Sequence, residues 1–174
     1  MNETIKTQSV LTDITPNPIN DEIYSQTDLS DLILSLETHG QLEPIVVNTS
    51  KVIISGHRRY FSMMQLGWTE CDIRVSNLEN DIVALIEFNR SRIKSVNDIL
   101  NESRILEREL KKEIGRGRNA PQQRSGKKMD VIIEVSRKLG LGATKLKMIK
   151  SIANYEPSLL TQIDNDEISV NKAY

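Results

Sequence analysis

Every strand-like run in this chain lies before residue 76, and the runs after residue 95 carry a helical period instead. The second half thus has almost no strand signal, and strands and helices segregate along the chain. The expectation is an α+β chain in two parts: a mixed α/β domain over residues 1–94 and an all-α domain over 95–174. A length of 174 residues suffices for two small domains.

In the first part, Ser9–Ile14 reads as a short strand closed by Pro16 and Pro18. Asp28–His39 reads as an amphipathic helix, with Leu29, Leu32, Ile33 and Leu36 on one face and Gly40 as its stop. Pro44–Val47 and Val52–Ile54 are β-rich runs joined by Asn48-Thr49-Ser50-Lys51, the pattern of a hairpin. A helix follows from His57 to Leu66, stopped by Gly67. Cys71–Val75 is a further strand, and Ile82–Glu87 opens another helix.

In the second part, Ser95 and Asp98 have the spacing of a capping box. They precede a helix with Ile99, Leu106, Leu110 and Ile114 on one stripe. Residues 115–128, GRGRNAPQQRSGKK, carry several bases and no acid, and read as a hinge or a polyanion contact. Two helices then flank Gly140-Leu141-Gly142, one with Val131, Ile132, Val135 and Leu139 inward, the other with Leu146, Ile149 and Ile152 inward. Two short helices around a glycine turn are the helix-turn-helix pattern. The second displays Thr144, Lys145, Lys147 and Lys150 around its apolar stripe. Arg137, Lys127 and Lys128 extend that basic set. Leu159–Ile163 and a start at Ser169 suggest two last helices. The chain ends one turn after Ser169, as expected of a domain cut from a longer protein.

Net charge is −1, but its distribution is uneven. Residues 1–50 hold eight acids against the one base Lys6, whereas residues 51–174 hold the other 22 of 23 bases and 16 of 24 acids. Such a split suits a basic face for a polyanion, or solvated helix faces alone. Cys71 is the one cysteine, so a disulfide framework and a cysteine zinc site are excluded. His39 and His57 leave little for a histidine metal site. No run spans a bilayer, and the first residues do not form a signal peptide. The expectation is a cytoplasmic protein with no membrane partner.

The chemical signal centres on Ser55-Gly56-His57-Arg58-Arg59. A strand delivers the chain to a glycine, and a helix departs through two arginines. A helix N-terminus carries unpaired N–H groups and positive potential, and arginine forks match phosphate oxygens. This is a phosphate cradle in physical terms. The alternative is that Arg58 and Arg59 pair with acids of the N-terminal segment.

The segment resembles the G-E-R-R signature of the ParB-type N-terminal domain. Ile14–Pro18 resembles that family's opening I-x-x-N-P, and Leu32–Val47 its L-x-x-S-I-x-x-H-G-x-x-Q-P-I-x-V. Ala84–Arg90 resembles A-L-I-E-N-x-Q-R. The resemblance is collinear over residues 9–174. It implies a small mixed-sheet domain of the ParB/sulfiredoxin fold followed by an all-α helix-turn-helix domain.

It also implies binding of double-stranded DNA and of a nucleoside triphosphate, CTP foremost, with Mg²⁺, in a homodimer. Ser55, Gly56, His57, Arg58 and Arg59 would hold phosphates, and Asn17, Pro18 and Glu43 would border the pocket. Glu87, Asn89 and Arg90 would complete it, with Glu87 and Asn89 toward the metal. A partition role with a partner ATPase, or targeting of a DNA methyltransferase, follows from the same likeness.

The chain departs from the family at four places. His57 stands for the acid of G-E-R-R, and Glu43 stands for the Gln before Pro-Ile. The E-N-x-Q-R box is shifted by about one residue. The family's Pro-Arg pair after Asn17-Pro18 is replaced by Asp21-Glu22 or is absent, and losing that basic residue while gaining acids should weaken triphosphate binding. Sulfiredoxin chemistry needs a thiol at the motif, and Cys71 lies far from it. An enzyme of this fold, a slow nucleotide hydrolase or a small-molecule kinase, is the alternative, with no catalytic residue indicated.

Overall fold

A computed structural model describes residues 7–24, 28–117 and 130–174, with side chains 114–117 left aside. Its contacts divide into two compact units, Met1–Asn89 and Arg90–Tyr174.

The first unit is built on a four-stranded mixed sheet in the order β1-β4-β2-β3. β1 (Thr7–Val10) runs antiparallel to β4 (Glu70–Val75), β4 parallel to β2 (Ile45–Val47), and β2 antiparallel to β3 (Ile53–Ser55). The expected hairpin forms because Asn48 organises its own turn: Oδ1 accepts the N–H groups of Ser50 and Val52, each at 2.9 Å. The expected strand at Ser9–Ile14 is displaced. Only Thr7–Val10 is strand, and Leu11–Asp13 coil into a 3-10 turn that buries Leu11. The β-run continues past Leu11 in local propensity, but Leu11 turns into the core and its N–H bonds Thr69 O at 2.9 Å.

One face of the sheet, with Ile45, Val47, Ile53, Cys71 and Ile73, packs on Leu36 of α2 (Ser30–His39) and Met63 of α3 (His57–Gln65). α1 (Pro18–Ile23) is capped by Asn17, whose Oδ1 accepts the Ile19 N–H at 3.1 Å. α4 (Asp81–Phe88) starts at Asn80, whose Oδ1 accepts from Ile82 and Val83, both at 3.1 Å. Its buried Ala84, Leu85 and Ile86 lie on the side that packs against β3.

Among its described residues the second unit holds helices joined by turns and no strand. α5 (Val96–Gly117) opens with the expected reciprocal cap: Ser95 N–H donates to Asp98 at 3.3 Å and Asp98 N–H to Ser95 Oγ at 3.0 Å. α5 carries residues 115–117 of the basic stretch as helix; residues 118–128, with Lys127 and Lys128, lie outside the described residues. α6 (Val131–Leu139) and α7 (Ala143–Tyr155) follow, joined by a three-residue turn in which Gly140 adopts φ +70. Ile149 and Ile152 of α7, Val96 and Leu100 of α5, and Leu160 and Ile163 of α8 (Ser158–Asp164) form one core. α9 (Val170–Ala173) is capped by Ser169.

No helix of the described residues is long and apolar enough to cross a membrane.

Candidate phosphate cradle and nucleic-acid interface

β3 delivers Ser55, paired with Val46, to Gly56 at φ +104, and α3 begins at His57. No side chain caps this helix end, and its first turn holds no acid. The positive end of the helix dipole therefore meets no acid within that turn.

Among the described residues, neither arginine forms an ion pair with an N-terminal carboxylate. Arg58 Nη2 donates to the main-chain oxygen of Asp28 at 2.8 Å. Arg59 Nη1 donates to the main-chain oxygens of Glu43 at 2.6 Å and Pro44 at 2.8 Å. A Cβ at Gly56 would lie 3.3 Å from Arg59 Nη2, so the missing side chain is what lets this guanidinium lie across the turn. Burial lowers the Arg59 pKa from its ordinary value, opposed by the Glu43 carboxylate and assisted by Arg74. Arg58 is the exposed fork of the pair, whereas Arg59 is half-buried.

His57 points inward. It is 5% exposed, and Nε2 accepts the Asn17 N–H at 3.1 Å. Burial pushes its pKa down to about 4, against the attraction of Asp21. The ring is therefore neutral near pH 7, with its proton on Nδ1. Asn17-Pro18 and the Gly56 junction, 40 positions apart, thus meet through an imidazole acting as acceptor. Glu43 contributes a carbonyl oxygen to Arg59 and keeps its own side chain exposed.

Glu87 and Asn89 stand at the far end of α4, which packs on the strand leading to Gly56. Asn89 Nδ2 is held by Leu85 O at 2.8 Å. Among the described residues, no three His, Cys, Asp or Glu side chains gather to hold a metal.

Two residues of this region have no sequence signal. Gln41 mimics a strand partner: Oε1 accepts the Asp72 N–H at 2.7 Å and Nε2 donates to Asp72 O at 2.8 Å. Its Nε2 also reaches Glu43 O at 3.1 Å, so it pins the loop that carries the Arg59 acceptors. Arg74 lies over the Phe88 ring at 5.6 Å and adds positive charge beside Arg59. Their contacts arise only once distant segments of the first unit meet.

In the second unit, α7 buries Leu146, Ile149 and Ile152 and exposes Thr144, Lys145 and Lys147. The latter two lysines form no ion pair among the described residues. Lys150 is half-buried and ion-paired to Glu107 of α5. Arg137 chelates Glu134 through Nε at 3.1 Å and Nη2 at 2.6 Å, which holds the Glu134 carboxyl below its ordinary pKa. Arg90 belongs to this unit too. Its Nε lies 3.1 Å from where a Cβ would stand on Gly140, so it packs across the α6–α7 turn.

Comparison with known proteins gives the family and fold. The family model of the ParB N-terminal domain matches residues 1–89. The nucleoid occlusion protein of Geobacillus thermodenitrificans is 31% identical over 147 residues, covering 79% of this chain and 47% of that protein. The nucleoid occlusion protein of Bacillus thuringiensis is 28% identical over 172 residues, covering 92% and 57%. The chain thus spans about half the length of these relatives. Among solved structures, a Pnob8-like ParB-N domain superposes with a TM-score of 0.67 at 17% identity, over 99% of this chain and 80% of that one. The C-terminally truncated ParB of Caulobacter crescentus complexed to the centromeric parS site gives 0.50 at 14% identity, over 96% of each.

Proposed function

This chain belongs to the ParB N-terminal domain family, and from that premise we propose that it is a ParB-like DNA-binding protein of the cytoplasm, acting in partition or maintenance of DNA. The carrying observation is α7. It keeps Leu146, Ile149 and Ile152 in the core and leaves Thr144, Lys145 and Lys147 for phosphates and base edges. In this reading α6 and α7 are the helix-turn-helix, with α7 in the major groove. The likeness to nucleoid occlusion proteins and to a ParB complexed with parS supports a DNA partner. Replacing Lys145 and Lys147 by Ala should weaken duplex binding at low salt and flatten its salt dependence by about two. A chain that binds no duplex at low salt refutes the reading.

The uncapped α3 terminus supports a second element of the proposal: a nucleotide, CTP foremost, whose phosphates lie against Gly56, His57 and Arg58 backbone N–H groups and the Arg58 fork. Ser55 leads into the cradle, and Asn17, Pro18 and Glu43 border it. Arg59 shapes the cradle more than it contacts the ligand, because both its acceptors are main-chain oxygens. Mg²⁺, a homodimer, and a partner ATPase or methyltransferase belong to this same reading. Calorimetry with CTP, ATP and GTP in Mg²⁺ tests it. Arg58→Ala should abolish the heat signal, and retained affinity removes the assignment. A phosphotransferase reading has less support, since the His57 Nε2 lone pair is already engaged by Asn17.

A further inference from the structure

α5 buries Glu102, Ser103, Ile105, Leu106, Glu109 and Leu110, and turns Arg104, Arg108, Lys111 and Lys112 to solvent. With Glu107, those four bases line one open groove along the helix. Arg104, Arg108 and Lys112 follow one another at i, i+4 intervals, so like charges stack on one face. This arrangement opposes helix formation and gains nothing from the core. Lys112 is relieved in part by Glu109, at 2.7 Å.

The acid of the groove, Glu107, is answered from another helix. Lys150 of α7 pairs with it, so the one acid lining the groove is itself compensated. The pair also fixes where the groove lies. Lys147 stands one turn before Lys150 on α7, on neighbouring surface. The basic face of α5 therefore runs into the exposed basic face of α7 without leaving the second unit.

We propose that the α5 groove is a phosphate-backbone contact surface for duplex DNA, flanking α7 and binding independently of base sequence. This rests on the DNA-binding reading of α7 and extends it to Arg104, Arg108 and Lys111. A row of exposed cationic side chains with no base-reading amide or hydroxyl suits backbone oxygens, which position a duplex while side chains of α7 read it. Each phosphate contact releases counterions, so the groove acts through the salt-dependent part of affinity.

The test compares the 174-residue chain with R104A/R108A/K111A and with E107Q, on random-sequence duplexes over a range of salt. The triple variant should weaken binding to every duplex alike and reduce the slope of log affinity against log salt by about two to three. E107Q removes the opposing acid and frees Lys150, so it should tighten binding and steepen the slope by about one. Circular dichroism checks that both variants are folded. If the parent chain binds duplex and neither variant changes affinity or slope, the groove proposal is overturned while the α7 reading stands. If the parent binds no duplex at low salt, both fall together.

Discussion

The Arg59 guanidinium fills the space that a side chain at Gly56 would claim: Nη2 lies 3.3 Å, and Nε and Cζ 3.4 Å, from an ideal Cβ at that position. Gly56 also holds φ +104, a backbone conformation that side-chain-bearing residues adopt only with strain. The glycine of the cradle is therefore needed twice by the fold itself.

Gly56→Ala should cost about 1–3 kcal/mol, from the strained dihedral plus displacement of Arg59 from the Glu43 and Pro44 carbonyls. Urea unfolding of the first unit reads it. Arg59→Ala at an unchanged Gly56 should lose less, because the dihedral is then relaxed. Equal stability of Gly56→Ala and the parent contradicts the close approach.

His57 makes stability depend on pH. Its folded pKa of about 4 lies below the ordinary 6.5, so between those values the unfolded chain binds more protons. The contribution is fully present above pH 6.5 and is lost as pH falls from there toward 4. Between about pH 7 and pH 5.5 the parent should lose about 1 kcal/mol more than His57→Gln. Chemical denaturation at the two pH values measures this. A parallel loss in both proteins removes His57 as the cause.

Lys94 and Glu102 form a buried pair at 2.8 Å, with side chains 8% and 0% exposed. Removing Lys94 strips the buried Glu102 carboxylate of this ion pair. Lys94→Met alone should destabilise by about 3 kcal/mol or more, while Lys94→Met with Glu102→Leu should recover most of that loss. Thermal melts of the two variants separate a needed pair from a merely tolerated one. A single variant as stable as the parent ends the argument.

Much of the helical half was legible because its signals are local. The Ser95–Asp98 box, the Gly140 stop and the stripes through Leu106, Val135 and Ile149 involve residues a few positions apart. The same holds for the Asn48 hairpin and for the junction at Gly56. What the arginines and the histidine of that junction contact was not legible. Whether Arg58 and Arg59 meet carboxylates or carbonyls depends on chain brought from residues 28 and 43–44, and periodicity carries no information on it.

By itself, then, the sequence determined the two-part α+β architecture, the helix starts and stops, and the basic character of α7, because each arises from neighbours along the chain. Only the tertiary structure decided the strand order β1-β4-β2-β3, the inward turn of His57 onto Asn17, the clamp of Gln41 on Asp72, and the pairing of Lys150 with Glu107. Those partners stand 31 to 43 residues apart. Each contact exists only after loops have closed and the cores have packed, so the free energy that selects it belongs to the whole unit and not to any local run of residues.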